Sequence, residues 1–200
     1  MKRFLLTLIC TLLFVPSVHA NVEVGKEAPD FSLMSESGQK VSLSDYKGKY
    51  VVLEWFNRSC PYVKKHYKSN NLPDLQKAAK EKGVVWLTID STNPDHKSFI
   101  QPDQRKEVLK KINLSSTAYL SDPNGKVGKL FGAKTTPHMF VVDDAGKVAY
   151  AGAIDSDDGV FADPKEADNY VSKALDDIIA GKPVAKSKTP PYGCSVKYAD

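Results

Sequence analysis

One cysteine, Cys60, stands where an apolar run ends and a segment that can be helical begins. The next residue, Pro61, suits the first position of a helix, so we expect Cys60 to cap the helix N-terminus. Unpaired N–H groups and the positive end of the helix dipole would then surround its sulfur. Such surroundings lower the pKa of a thiol, and the thiolate is the reactive form. The pattern favours a nucleophilic cysteine over a buried cysteine that acts as a small hydrophobe.

The first residues have the pattern of a secretory signal peptide. Lys2 and Arg3 precede the apolar run 4–15, and the small residue Ala20 closes the segment. The run is short for a membrane span, which needs about 20 residues, and we predict cleavage after Ala20. Removal of Lys2 and Arg3 takes the formal net charge from +4 to +2. This near-neutral balance, without a basic stripe, argues against nucleic-acid binding.

Export would determine which cysteines the mature chain keeps and whether they can form a disulfide. Cys10 lies inside the apolar part of the predicted signal, so Cys60 and Cys194 would remain in the mature chain. The expected location is periplasmic or extracellular, where the environment is oxidising and two thiols can pair. Because these two cysteines are far apart in sequence, only the fold decides whether they meet.

The remaining sequence alternates between strand and helix patterns. We predict a signal peptide at 1–20, one domain at 21–181 and a Pro- and Lys-rich tail at 182–200 that carries Cys194. Strands are expected at 31–34, 40–43, 50–56, 84–90, 118–120, 139–142 and 148–152, and helices at 61–69, 72–82, 105–112, 127–131 and 164–180. Alternating strands and helices favour a parallel core, and the late hairpin adds antiparallel strands. The predicted class is α/β, with a mixed central sheet between helices.

Three passages together carry a family resemblance. They are residues 28–53 with a turn at Gly38, residues 55–61 and residues 135–143. In that order they resemble the N-terminus, the active-site strand and the cis-proline loop of the thioredoxin-like superfamily. The resemblance is closer to its redoxin branch, which includes the alkyl hydroperoxide reductase/thiol-specific antioxidant family and exported thiol–disulfide oxidoreductases. It orders most of residues 24–155 and implies a thioredoxin-like fold with an N-terminal β-hairpin extension and a C-terminal tail.

The resemblance also implies a site around Cys60. Pro137 would be a cis proline beside the active cysteine, and Thr136, Pro137 and Pro61 would contact the substrate. Thioredoxins carry a buried carboxylate six residues before their first active cysteine, and Glu54 matches that position. A buried acid has a raised pKa and can relay a proton during thiol–disulfide exchange. The alternative for Glu54 is a side chain that faces solvent or pairs with a lysine.

The chain departs from both active-site templates of the superfamily. Val63 stands where dithiol members have their second cysteine, so there is no C-x-x-C motif. Peroxiredoxins have a proline seven residues and a hydroxyl residue three residues before their cysteine, and here these are Leu53 and Asn57. The peroxide-activating hydroxyl is therefore missing unless Ser59 substitutes for it. Cys194 could supply a resolving thiol if the tail returns to the active-site end, or it could stay separate or pair with another protein.

Other polar residues near the cysteines leave a second chemistry open. His66 follows Cys60 within the same predicted helix, and His138 follows Pro137, where it could tune the thiol or be an ordinary loop histidine. Positive charge on Lys64 or Lys65 would favour the thiolate, although helical lysines more often face solvent. The two histidines and two cysteines are also ligand types that suit copper or zinc.

These observations predict an exported thiol-dependent oxidoreductase with Cys60, Cys194 and Glu54 as catalytic residues. Cys60 would attack a disulfide or a peroxide. The expected partners are a thiol or disulfide protein or a peroxide, with a separate thiol protein as electron donor. No bound cofactor, metal, nucleic acid or lasting membrane span is expected. Two alternatives are a copper-binding or copper-chaperone protein and a non-catalytic binding module, both with the thioredoxin fold.

Overall fold

The computed structural model describes residues 22–199, so the predicted signal peptide lies outside the described residues. The strands are β1 (Ser32–Ser35), β2 (Lys40–Ser42), β3 (Val51–Trp55), β4 (Val85–Asp90), β5 (Ala118–Ser121), β6 (Thr135–Thr136), β7 (His138–Val142), β8 (Val148–Gly152) and β9 (Cys194–Ser195). The helices are α1 (Pro61–Lys68), α2 (Asn71–Glu81), α3 (Arg105–Lys111), α4 (Lys126–Phe131) and α5 (Tyr170–Ile179). Within 22–199, none of these helices combines the length and the apolar character needed to cross a membrane.

Seven strands form one mixed sheet in the order β2-β1-β5-β4-β3-β7-β8. The central strands β3, β4 and β5 are parallel to one another. The outer strands pair antiparallel, β7 with β3, β8 with β7, β1 with β5 and β2 with β1. The predicted α/β class with a mixed central sheet is confirmed. A second, two-stranded sheet joins β6 to β9.

Both faces of the central sheet are covered, which explains why β3 and β4 are mostly apolar and do not alternate between apolar and polar residues. Every residue of both strands is buried. On one face, Val52 and Phe56 pack with residues of α1, α2, α3 and α5. On the other face, Leu53 and Trp55 pack with residues of α4 and the N-terminal segment. Alternate side chains of β3 therefore enter two different cores, as the two-residue period of a strand requires.

The prediction for the last helix was wrong at its N-terminus. Helix α5 begins at Tyr170 and not at residue 164. Asn169 precedes it with extended backbone, and its side chain accepts a hydrogen bond from the Ser172 N–H at 2.9 Å. This side-chain cap satisfies an N–H group that the helix cannot pair, and so it fixes the first turn.

The C-terminal tail packs against the domain along its length. Lys188 forms a parallel bridge with Ala151 of β8. The Thr189 hydroxyl lies so close to Gly152 that a Cβ on that glycine would meet it at 2.2 Å. Further on, β9 pairs with β6, and the Val196 N–H donates to the Lys134 carbonyl at 3.1 Å. The tail thus returns to the end of the sheet that carries α1, and the predicted division into domain and tail stays a prediction.

Candidate active site

Cys60 is the N-terminal cap of α1, and Pro61 is the first helical residue. The cysteine backbone is extended, with φ −64° and ψ 124°, and its carbonyl accepts the Lys64 N–H at 2.9 Å. The local geometry predicted from the Cys-Pro pair is therefore present. Cys60 is only 2% exposed, whereas Pro61 lies at the surface. A reagent can reach the sulfur only after some local opening.

Asn57 shapes the turn that leads to Cys60. Its Oδ1 accepts the Ser59 N–H at 2.9 Å, and its carbonyl accepts the Cys60 N–H at 3.1 Å. Its Nδ2 donates to the hydroxyls of Thr92 and Ser98, both at 2.8 Å. Asn57 is therefore a buried connector between the turn and the segment after β4. Its amide is fully engaged there, so Asn57 does not take the place of the missing hydroxyl.

The Thr136–Pro137 peptide bond is cis, as predicted. Antiparallel pairing of β7 with β3 places His138 opposite Trp55, so the residues just before β7 lie at the end of β3 where Cys60 follows. The Cys60 Sγ donates to the Thr136 carbonyl at 2.9 Å. Two predicted site residues from distant parts of the chain thus meet, and the proline is directly bonded to the second of them.

Cys194 lies beside the same threonine. In the ladder between β6 and β9, Cys194 is opposite Thr136, and Ser195 is opposite Thr135. The Thr136 hydroxyl donates to the Cys194 carbonyl at 3.5 Å, and the Cys194 thiol is close enough to Cys60 for each to shift the pKa of the other. Both cysteines are free in this structure, Cys60 buried and Cys194 half-buried. The fold brings together the two thiols that sequence alone left apart.

The two thiols have opposite pKa shifts. Burial raises the pKa of Cys60, but hydrogen bonds from the Cys194 thiol, the Val63 N–H and Thr136 outweigh it, so the pKa of Cys60 lies below its ordinary value. Burial, together with the hydrogen bond and the charge of Cys60, raises the pKa of Cys194 to about 11. Of the pair, Cys60 is therefore the one that forms the thiolate more readily, and Cys194 is the one that keeps its proton.

Glu54 is completely buried and surrounded by hydrogen-bond donors. Its Oε1 accepts from the Tyr67 hydroxyl at 2.8 Å. Its Oε2 accepts from Trp86 Nε1 at 2.8 Å, Gln76 Nε2 at 3.0 Å and the Thr88 hydroxyl at 3.3 Å. Burial raises the pKa of Glu54, and these four hydrogen bonds oppose the shift. The expectation of a buried acid is confirmed, and the alternative of a solvent-facing or lysine-paired side chain is wrong.

The partners of Glu54 belong to α1, α2 and β4, so the carboxyl group joins two helices to the sheet. Among residues 22–199, each of its hydrogen bonds runs to one of these four side chains and none to Cys60. A proton relay through Glu54 therefore stays a prediction.

His138 does not reach the cysteines. Its Nδ1 accepts the Lys134 N–H at 3.2 Å, and its ring lies 4.5 Å from that of Phe140. Phe140 belongs to the core on the sheet face opposite Cys60, and alternation along β7 puts His138 on the same face as Phe140. Burial, with a smaller effect from the charge of Lys134, lowers the pKa of His138 to about 4. The hypothesis that His138 tunes the thiol is wrong on this geometry.

The four candidate copper ligands do not converge. Within the described part of the chain, no three side chains of His, Cys, Asp or Glu are grouped closely enough to hold a metal ion. Cys60 and Cys194 are adjacent, but His138 points into the other core and His66 is hydrogen-bonded elsewhere.

A buried polar cluster next to the cysteines was only partly visible in the sequence. We call His66, Asp155 and Tyr192 the tail anchor. The Tyr192 hydroxyl donates to Asp155 Oδ1 and lies 3.0 Å from His66 Nε2. Asn71 Nδ2 donates to His66 Nδ1 at 2.9 Å, which leaves the proton on Nε2 and directs it to Tyr192. Burial and the charge of Lys65 lower the pKa of His66 to about 3, so the ring is neutral.

The tail anchor connects three parts of the chain. His66 comes from α1, Asp155 from the loop after β8, and Tyr192 stands two residues before Cys194. Lys65 is also mostly buried, and its Nζ donates to the carbonyls of Asp157 and Gly159 at 2.9 and 3.0 Å. Lys65 therefore does not face solvent as helical lysines more often do, and its ammonium group holds the segment after β8. A tyrosine close to a tail cysteine was the sequence signal for this cluster, and nothing in the sequence singled out Asp155.

A cavity of about 720 Å³ opens at the opposite end of β3. Its lining includes Lys47, Val51 and Asp143. None of the predicted site residues, all of which the structure describes, contributes to it. The candidate chemistry therefore lies at the α1 end of the sheet and outside this cavity.

A thioredoxin-like fold with a cysteine at the cap of its first helix, facing a cis proline, defines the redoxin class of thiol proteins. Residues 24–151 match the AhpC/TSA family, and the chain belongs to that family.

The similar proteins include both thiol-disulfide oxidoreductases and peroxiredoxins. The chain is 31% identical over 132 residues to the thiol-disulfide oxidoreductase ResA of Bacillus cereus (strain ATCC 10987 / NRS 248), covering 66% of this chain and 70% of that protein. It is 27% identical over 167 residues to peroxiredoxin tpx1 of Schizosaccharomyces pombe, covering 82% and 77%.

The likeness to one solved structure extends over nearly the whole chain. The crystal structure of an uncharacterized conserved protein from Geobacillus kaustophilus superposes with a TM-score of 0.79 at 29% identity, covering 94% of this chain and 98% of that one.

Proposed function

We propose that this chain is an exported thiol-dependent oxidoreductase in which Cys60 is the nucleophile and Cys194 the second thiol. The observation that carries the proposal is that Cys60 and Cys194 meet at Thr136, which contacts the Cys60 sulfur and lies opposite Cys194 in the strand ladder. The lowered pKa of Cys60 and the raised pKa of Cys194 support it. The similarity to ResA supports a disulfide as substrate, and the similarity to tpx1 supports a peroxide.

With a disulfide as substrate, the Cys60 thiolate attacks one sulfur of the substrate. A Cys60–substrate disulfide forms, and the other substrate sulfur leaves as a thiolate that takes a proton from solvent. Cys194 then loses its proton and attacks the Cys60 sulfur, which releases the second substrate thiol. The substrate disulfide is reduced to two thiols, and the Cys60–Cys194 pair is oxidised to a disulfide.

With a hydroperoxide as substrate, the Cys60 thiolate attacks the terminal oxygen, and the O–O bond breaks. The leaving alkoxide takes a proton, and Cys60 becomes a sulfenic acid. Cys194 condenses with it to give the same disulfide and a water molecule. This second candidate is favoured by the family match, but the hydroxyl of a peroxiredoxin has no counterpart at Asn57, whose amide bonds to Thr92 and Ser98.

A separate thiol protein would return the pair to its reduced state. Its thiolate would attack Cys194, the more exposed of the two sulfurs, and Cys60 would leave. A second thiol of the same protein would then attack its own sulfur in this mixed disulfide and release Cys194, so that the reductant is oxidised to a disulfide. A thiol of lower pKa is the better leaving group in this exchange, so the opposite pKa shifts of the pair direct the reductant to Cys194.

Substitution of the nucleophile tests the proposal. Cys60→Ser is expected to abolish reduction of disulfides and peroxides while thermal unfolding stays cooperative. The matched variant Cys194→Ser should still carry out the first step and accumulate the Cys60–substrate disulfide, which intact-mass spectrometry detects. Full turnover in Cys60→Ser would rule out the mechanism.

Export is tested separately. The mature protein is expected to begin at Asn21, so its mass should lack residues 1–20 when it is recovered from outside the cytoplasm. A recovered chain that retains Lys2 and Arg3 would contradict this part of the proposal.

The two alternative functions lead to different measurements. A copper protein would bind Cu(I) in a titration of the reduced chain, with loss of binding in both Cys60→Ser and Cys194→Ser. A non-catalytic module would have a Cys60 thiol that is alkylated slowly and with the pH dependence of an ordinary thiol.

A further inference from the structure

The backbone edge beside the candidate nucleophile is already paired. Residues Thr135 and Thr136 form β6, and β9 of the tail pairs with them in antiparallel register. The Val196 N–H extends this pairing to the Lys134 carbonyl at 3.1 Å. An extended polypeptide binds most readily to an unpaired strand edge, where it adds a strand. Here the chain's own tail occupies that edge.

The tail segment 192–195 is held there by specific contacts. Tyr192 is hydrogen-bonded to both Asp155 and His66, and its ring packs 5.7 Å from that of Tyr62. The other oxygen of Asp155, Oδ2, is buried, and in residues 22–199 it has no hydrogen-bond partner. The Tyr192 hydroxyl is therefore a main partner of this carboxyl group, and loss of that hydroxyl would leave a buried group still less satisfied.

Gly193 makes the close approach possible. A Cβ at this position would lie 2.2 Å from the Thr136 carbonyl oxygen and 2.8 Å from its carbonyl carbon. The φ of Gly193 is +129°, a conformation that residues with a side chain rarely adopt. The atoms it would strike belong to the backbone, so a larger residue could be accommodated only if the tail segment moved away from β6.

We propose that the tail segment 192–195 is a built-in occupant of the strand edge at Thr136 and restricts Cys60 to substrates of low molecular mass. A small disulfide or hydroperoxide needs only access to one sulfur. An extended polypeptide disulfide needs the Thr136 edge as well. It must first displace β9 and pull Tyr192 out of the tail anchor. This inference rests on the proposed function, whose reaction steps it keeps, and it adds the substrate class.

Two disulfides with the same leaving group test the substrate class. One is bis(2-hydroxyethyl) disulfide, and the other is an unstructured peptide whose single cysteine is in a mixed disulfide with 2-mercaptoethanol. The first step is followed in a single turnover as the loss of the free Cys60 thiol at fixed pH. The quantity compared between variants is the ratio of the peptide rate to the small-disulfide rate, because any change in the thiolate fraction of Cys60 affects both rates equally.

For the wild-type chain, the peptide is expected to react much more slowly than the small disulfide. Gly193→Ala should raise the rate ratio by about tenfold, which corresponds to about 1.4 kcal/mol less to displace. Cys194 should also be alkylated faster in that variant, since the tail has moved. The matched control is Gly181→Ala, which has the same kind of positive φ, +69°, but nothing within 4 Å of the added Cβ, and its rate ratio should equal that of the wild type.

Tyr192→Phe is the second variant, and it keeps the test valid if Gly193→Ala does not fold. It retains the ring and removes the hydroxyl, so the ratio should rise in the same direction by a smaller factor. A wild-type chain that reacts equally fast with both disulfides would overturn the inference and leave the proposed function standing. The inference is also overturned if Gly193→Ala speeds up Cys194 alkylation without changing the rate ratio. It is overturned as well if Gly193→Ala leaves Cys194 alkylation unchanged. A wild-type chain that reacts with neither disulfide nor with hydrogen peroxide would overturn the proposed function itself.

Discussion

Thr136 and Cys194 lie directly opposite each other in the ladder between β6 and β9. The carbonyl of the same threonine accepts a hydrogen bond from Cys60, so one residue positions both sulfurs. In both contacts the Thr136 side of the interaction is backbone, so the fold fixes the place where the two cysteines meet. Two thiols held in this way need little reorganisation to form a disulfide, which is the advantage of a preorganised site.

The first prediction concerns the acidity of Cys60. Cys194→Ala removes the thiol hydrogen bond that favours the Cys60 thiolate, so the pKa of Cys60 should rise. The pH midpoint of Cys60 alkylation should therefore move upward. In Cys194→Ser the hydroxyl keeps a donor at this place, and the midpoint should lie between those of the wild type and the alanine variant. A midpoint that stays the same in Cys194→Ala would mean that the pair is not coupled.

The second prediction concerns the turn before Cys60. Asn57→Ala leaves the Ser59 N–H without its side-chain acceptor and removes the N–H groups that the buried hydroxyls of Thr92 and Ser98 accept from. The free energy of unfolding should fall by about 2 kcal/mol or more, and Cys60 should be alkylated faster, because a turn that is no longer fixed opens more readily around the buried sulfur. Urea unfolding and alkylation rates measure the two effects.

The control for Asn57→Ala is a substitution at an exposed asparagine whose side-chain oxygen also accepts the N–H of the residue two positions later. Asn124 Oδ1 accepts the Lys126 N–H at 3.1 Å at the surface. Asn124→Ala should change the free energy of unfolding by about 0.5 kcal/mol or less. Equal losses in the two variants would contradict the role given to Asn57.

The third prediction separates a structural from a catalytic Glu54. In Glu54→Gln one carboxyl oxygen becomes an NH₂ group, so the donors of Tyr67, Gln76, Trp86 and Thr88 share a single acceptor oxygen. The free energy of unfolding should fall by about 1–2 kcal/mol, while the pH dependence of both redox steps should stay the same. A change in the pH profile of the second step, with stability preserved, would instead support the predicted proton relay.

The sequence predicted features that depend on neighbouring residues better than features that depend on contacts between distant segments. The cap at Cys60 followed from one residue pair, because Pro61 fixes the helix start through its own ring. The buried acid at Glu54 was implied by the family resemblance, whereas the sequence of the strand alone left a solvent-facing or lysine-paired side chain open. The face of His138 was missed, since strand alternation determines it only once the pairing of β7 with β3 is known. The start of α5 was missed because Asn169 takes over the cap.

The tail anchor was the hardest feature to predict. His66 and Tyr192 stand in unrelated segments, and Asp155 follows a strand without any motif of its own. Their contact requires that α1, the loop after β8 and the tail all reach the same end of the sheet. The close approach that requires Gly193 is a contact with Thr136, a residue far away in sequence, so no local pattern predicts it.

The fourth prediction concerns acid stability. His138 has a pKa of about 4 in the fold, against 6.5 in the unfolded chain, so below pH 6.5 the unfolded chain binds the proton first. Its contribution to stability is therefore complete above pH 6.5 and is lost as the pH falls towards 4. Between pH 7 and pH 5 the loss should be about 2 kcal/mol.

His138→Asn isolates this contribution. The Asn Oδ1 can still accept the Lys134 N–H, but the side chain no longer titrates. Urea unfolding at pH 7 and pH 5 should reveal a smaller acid loss in the variant than in the wild type. The raised pKa values of Glu54, Asp90 and Asp155 favour the fold as the pH falls, but they are common to both proteins and cancel in the difference. Parallel pH curves would contradict the prediction.

The distance along the chain between the two cysteines has an effect on heat resistance. A covalent link between Cys60 and Cys194 would enclose most of the polypeptide in one ring, and a ring of that size removes about 5 kcal/mol of chain entropy from the unfolded state. During turnover the protein would thus alternate between an oxidised form with a higher free energy of unfolding and a reduced form with a lower one. A thermal melting curve would then report whether the two cysteines are reduced or oxidised, with no substrate present.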